Sequence, residues 1–167
     1  HAALLSEQAL FWSRFERSFS TSLGQRVIEQ VSRVAAEAGG AQLAQTQKAT
    51  TVALPSAALT AIADHISSLR GGKRGKHAAV PLLNDTVAAL RDAHAAADDS
   101  QPERVISDLW WQHGGINHYM SIKTVKPNID QTAEAKRDLL KLKLADPSAK
   151  VYFGLYYNPY GEHRTDY

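Results

Sequence analysis

From Ser6 to about Ala38, apolar side chains recur three or four residues apart: Phe11, Phe15, Phe19, Leu23, Val27, Val31 and Val34. That spacing matches the helical turn, so the stretch predicts a helix with a single apolar stripe. Gly39-Gly40 stops it, and Gly24 inside it marks a kink or a break between two helices. A second helix is predicted from Pro55-Ser56, where proline suits a first turn. Its inward face is Leu59, Ile62, Ala63, Ile66 and Leu69, and Gly71-Gly72 ends it. A third is predicted from about Asn84 to Ala97, with Val87 and Leu90 inward; its alanine-rich surface reflects helix propensity more than function.

After the loop "DDSQPE" the period changes. Arg104 to Gln112 is β-branched and aromatic, "HGGIN" reads as a turn, and His118 to Val125 alternates, which together predict a β-hairpin. Pro127 ends the second strand. Asn128 and Gln131 have the spacing of an N-cap and its reciprocal partner, opening a helix to about Leu144. Lys150 to Tyr157 reads as a buried strand closed by the turn "NPYG". A crossover helix between two strands implies that they run parallel.

With 167 residues, 44% of them hydrophobic, the chain can bury one compact core. It holds no apolar run long enough to span a membrane, and its first residues lack the pattern of a signal peptide. His1 in place of a starting methionine reads as a tag remnant or a trimmed end. The chain stops soon after its third clear strand, which raises the expectation of a C-terminally incomplete fragment. There is no cysteine, which removes disulfides, thiolate catalysis and cysteine zinc sites, and fits an intracellular, cytoplasmic protein.

A net charge of +2 does not announce a nucleic-acid binder. Its distribution does more: Arg70, Lys73, Arg74 and Lys76 sit in a glycine-rich segment without an acid, suited either to a phosphate backbone or to plain solvation. Along the second strand of the hairpin, alternation puts Tyr119, Ser121, Lys123 and Val125 on one face. Asp108 lies on the preceding strand, and pairing across the turn could bring it near Lys123, although sequence does not fix the register. A carboxylate, a lysine and Mg²⁺ make a workable hydrolytic site. The carboxylate holds the ion, the ion polarises phosphate and acidifies water, and the lysine balances charge developing on the phosphate. His113 and His118 flank the turn without metal-ligand spacing, so no zinc site is expected.

The stretch "SDLWWQ…HYMSIKTVKPN" resembles the D…(D/E)xK signature of the PD-(D/E)xK nuclease superfamily. More narrowly, "SIKTVKPNIDQTAEAKRDLL" followed by "VYFGLYYNPYGEHRTDY" resembles TdeIII-type type II restriction endonucleases, and "SFSTSLGQRVIEQ" is similar to such an enzyme's first helix. The resemblance implies an α/β restriction-endonuclease-like domain: a mixed β-sheet flanked by helices, with a helical N-terminal half. It implies hydrolysis of double-stranded DNA with Mg²⁺ at a short GC-rich palindrome of the GGNCC kind, by a homodimer. Asp108 and Lys123 match the signature. Ser107 stands where proline is frequent, and Ser121 where a second acid is expected; serine is a poor magnesium ligand. Another carboxylate must then act, Glu134 on the following helix or Glu29 on the first, with Asp130 and Asp138 as fallbacks. Lys126, Asn128 and Arg164 are candidate DNA contacts, Asn128 equally a simple cap. Two rivals stand beside this reading: a DNA-binding module that has lost catalysis, supported by Ser121, and a structural or interaction domain.

Overall fold

The computed structural model describes residues 7–71, 86–88, 90–91, 99–123 and 127–155. Through them run α1 (Glu7–Ala38), β1 (Leu43–Pro55), α2 (Ser56–Gly71), β2 (Ser100–His113), β3 (Ile116–Lys123), α3 (Ile129–Ala145) and β4 (Lys150–Leu155). Residues 86–88 and 90–91 are also helical. The sheet has the order β1-β2-β3-β4. β1 with β2 and β2 with β3 are antiparallel, whereas β3 and β4 are parallel. The expected hairpin, crossover helix and parallel return strand are therefore present. The helix starts as expected too: Asn128 Oδ1 accepts from Gln131 N at 2.8 Å and Gln131 Oε1 from Asn128 N at 3.1 Å, a reciprocal cap.

Two expectations need correction. The N-terminal half is not wholly helical, because residues 43–55 form β1, the strand that pairs along β2. From Gln45 to Thr51 it is Gln, Lys and Thr apart from Ala49, so no apolar period marks that stretch, and its position is fixed by its partner strand. At the described valines of α1 the apolar stripe faces outward. Val27, Val31 and Val34 are 48%, 59% and 55% exposed, while Glu29 is buried. Ser32, Ala35 and Ala36 of α1 line one side of a cavity whose other side is Leu109, Trp111, His118 and Met120 of the sheet. Short side chains let the helix approach a surface whose large residues come from the sheet. Gly24 does not break α1, which is continuous.

The core lies on the other face, between the sheet, α2 and α3. Leu54, Ile62, Ile66, Val105, Tyr119, Leu140 and Leu144 pack there, with Val87 and Leu90 among them. α3 contributes Ala133, Leu140 and Leu144 to this core and keeps Glu134 and Asp138 for a cleft beside it.

The alternation of faces slips once in the β1–β2 pair. Val105 belongs to the core, yet Leu109 and Trp111, also odd-numbered, line the space against α1. On β1, Val52 and Leu54 face the core, whereas Thr46 reaches Gln30 of α1. The slip falls where one rung of the ladder is missing: Thr46 pairs with Leu109 and Lys48 with Ser107, but Gln47 and Asp108 between them do not pair. Gln47 has φ of 51°, a left-handed conformation unusual for a residue with a side chain. One consequence is that Ser107 and Asp108, consecutive residues, both line the cleft.

Candidate active site

β2 and β3 pair only from Leu109–Met120 to the turn. Beyond that rung they separate, and the carboxylate of Asp108 takes over the bonding. Its Oδ2 accepts the backbone N–H of Ile122 at 2.6 Å and the hydroxyl of Ser121 at 3.3 Å. Lys123 Nζ stands 3.6 Å from the same oxygen. A short bond to a backbone N–H fixes the carboxylate against β3, so its position follows from the fork between the strands. Sequence alternation had placed Ser121 and Lys123 on one face, and both do line the cleft with Asp108.

The cleft has a volume of about 390 Å³. Besides Asp108, Ser121 and Lys123 it is lined by Gln47, Glu134 and Asp138. The last two lie one helical turn apart on α3, which brings both carboxylates to the cleft face. Burial pushes the Asp138 carboxyl above its ordinary range, and the neighbouring Glu134 adds to this; Lys141, Arg137 and Lys123 oppose it. Asp138, a fallback by sequence, thus lines the cleft, whereas Asp130 does not. Asp130 sits in the exposed first turn of α3 and ion-pairs with Arg70 at the end of α2.

Glu29 reaches the site from α1, buried to 4% exposure. The link is Gln47, whose Nε2 donates to Glu29 Oε1 at 2.9 Å and to Asp108 Oδ1 at 3.3 Å. The sequence reading missed Gln47, since a polar residue in a polar strand carries no signal of its own. Asn128 is engaged as a cap, and Arg70 by Asp130. Lys73, Arg74, Lys76, Lys126 and Arg164 lie outside the described residues. His118, at one end of the turn, is buried in a cluster of three near-parallel rings, 4.7 Å from Trp111 and 5.9 Å from Tyr152, which are themselves 5.4 Å apart. Its Nδ1 lies 3.1 Å from the Tyr152 hydroxyl.

Among the described residues, no three His, Asp or Glu side chains are already gathered round one point as a metal cage. The donor set nonetheless suits a hard cation: every candidate ligand is an oxygen. Mg²⁺ is commonly held by only one or two carboxylates, with water and substrate phosphate completing its shell. The buried hydroxyl of Ser107 lines the cleft without a hydrogen-bond partner.

A four-stranded mixed sheet flanked by helices, with an aspartate and a lysine converging at the fork of two strands and acids on the flanking helices, defines an α/β protein and is consistent with a restriction-endonuclease-like fold. Comparison of the sequence with known families agrees. The profile of the family described as "Type II restriction endonuclease, HinfI" matches residues 1–167, and the chain belongs to that family. It is 30% identical over 172 residues to the type II restriction enzyme HgiEI and 27% identical to HgiCII, both of Herpetosiphon aurantiacus. Each match covers 100% of this chain and 61% of the relative, so the chain spans about three-fifths of their length. No solved structure matches it significantly. Among the described residues, no helix is long and apolar enough to cross a membrane.

Proposed function

We propose that this protein is a Mg²⁺-dependent type II restriction endonuclease that hydrolyses phosphodiester bonds in double-stranded DNA, acting as a homodimer in the cytoplasm of a bacterium or archaeon. The observation that carries the reading is the approach of Lys123 Nζ to Asp108 Oδ2, 3.6 Å apart, in a cleft that also presents Glu134 and Asp138. Asp108 would hold the ion together with Glu29 or an α3 carboxylate, which replaces the acid missing at Ser121. When bound, the ion polarises the phosphate and lowers the pKa of water beside it. Lys123 supplies a fixed positive charge at the point where negative charge grows on the phosphate, and holds an attacking water in line. Ser121 buttresses the Asp108 carboxylate through its hydroxyl.

The narrower expectation, a TdeIII-type enzyme that reads a GGNCC-like palindrome, rests on likeness over Asp108 to Tyr167. Within that span residues 124–126 and 156–167 lie outside the described residues. Paired active sites, one per strand, follow from the symmetry of a palindrome.

The second reading, a DNA-binding module without catalysis, is favoured by Ser121 alone. Incubation of the protein with plasmid DNA separates the two. Discrete fragments that require Mg²⁺ and disappear in Lys123→Ala, with DNA binding retained, support the enzyme. Salt-dependent binding without cleavage at any Mg²⁺ or Mn²⁺ concentration overturns it.

A further inference from the structure

Gln47 is the only described residue other than glycine with a positive φ. Left-handed backbone is unfavourable for a side-chain-bearing residue and persists only where its surroundings over-determine it. Here the surroundings are two carboxylates. Glu29 comes from α1 and Asp108 from β2, and Gln47 Nε2 lies within hydrogen-bond distance of an oxygen of each. Without a donor between them the two anions would face one another across a half-buried space, where like charges repel strongly. The carboxamide nitrogen has two hydrogens, one for each acceptor. It therefore does for these oxygens what a bridging cation does, and it sets the spacing between them.

The positive φ and the missing ladder rung are the means. Had β1 continued its regular pleat, Gln47 and Asp108 would have formed an ordinary paired rung. The turned backbone instead breaks that rung and aims the amide at both acids. We infer that Gln47 is a positioning residue, holding Glu29 and Asp108 as a pre-set pair of oxygen ligands for a divalent cation. This rests on the metal-dependent reading above. It assigns Glu29 a place in the metal site and gives β1 a direct part in the chemistry.

The test is Mn²⁺ binding to the purified protein without DNA, followed by the loss of the free-ion electron paramagnetic resonance signal, with thermal melting alongside. The variants are Gln47→Gly, Glu29→Gln, their double mutant and Asp108→Asn. Glycine accepts φ of 51° freely, so Gln47→Gly removes the amide without adding backbone strain. Supporting residues of metal ligands typically matter by about 10–100-fold in affinity, and Gln47→Gly is expected to weaken Mn²⁺ binding within that range, with a lower but still cooperative melting transition because the two acids lose their shared donor. The double mutant should lose less than the two single effects multiplied together, because Gln47 acts in part through Glu29. A loss in Asp108→Asn with wild-type affinity in Gln47→Gly overturns the role of Gln47 and leaves the metal site standing. Unchanged affinity in Asp108→Asn overturns the metal reading itself, and this inference with it.

Discussion

Asp108 Oδ2 lies 2.6 Å from the backbone nitrogen of Ile122 and 3.6 Å from the ammonium of Lys123. One oxygen thus ties the strand carrying the acid to the strand carrying the lysine, at the point where their ladder ends. Structural and chemical roles meet in that carboxylate, and substitutions can separate them.

Asp108→Ala is expected to destabilise the protein by about 1–3 kcal/mol, because the buried N–H of Ile122 loses its acceptor. Asp108→Asn keeps an oxygen in place and should cost less. Both should abolish Mg²⁺-dependent cleavage. Thermal or urea unfolding, read beside plasmid cleavage, checks the difference; equal stability for the two variants would deny Asp108 its structural bond.

Lys123→Met keeps the length of the side chain and removes its charge. It should lower the cleavage rate by about 10²–10³-fold, the usual cost of losing one stabilising group at a developing charge. The fold should survive, since the lysine is a quarter exposed and makes one ion pair. Single-turnover cleavage rates and melting curves measure the two effects separately.

At Asp138, burial holds the carboxyl above its ordinary range, which means that its charged form costs stability. The folded state then binds the proton more tightly than the unfolded state, so stability falls as pH rises from the normal carboxyl range upward. Asp138→Asn removes that cost. The variant is expected to melt higher than wild type near pH 7 and to cleave more slowly, a trade typical of functional carboxylates. A lower melting temperature with full activity would remove Asp138 from the site.

His118 gives the opposite pH signature. Burial, and then the positive charge of Lys150 and the neighbouring His113, depress its pKa below the ordinary 6.5. The unfolded chain binds this proton first. The contribution is therefore fully present above about pH 6.5, the ordinary histidine value, and is lost as pH falls below it. His118→Phe keeps a ring beside Trp111 and Tyr152, and should reduce the loss of stability seen from pH 7 to pH 5 in wild type. Melting temperatures across that range decide it.

The cap of α3 is an independent check on the helix that carries Glu134 and Asp138. Asn128→Ala removes the acceptor for Gln131 N and is expected to cost about 1 kcal/mol. In a chain of this size that corresponds to roughly 2–4 °C in Tm.

The sequence by itself determined whatever depends on near neighbours along the chain. The start of α3 was legible because Asn128 and Gln131 are three residues apart and bond to each other. The hairpin was legible because two glycines allow the positive φ of its turn, 57° at Gly114 and 75° at Gly115. Ser121 and Lys123 were assigned one face because pleating has a period of two. Tertiary structure alone decided the rest. Register across the turn, which sequence leaves free, brought Asp108 to Lys123. Periodicity identifies a face of α1 but not what lies opposite it: the described valines face outward, and toward Leu109, Trp111, His118 and Met120 of the sheet the helix turns Ser32, Ala35 and Ala36. β1 was invisible because its polar alternation gains meaning only beside β2, which also forces Gln47 out of the pleat. Helix periodicity cannot say which of Glu29, Glu134 and Asp138 approaches the cleft, for that depends on how α1 and α3 pack on a sheet whose twist no local pattern encodes.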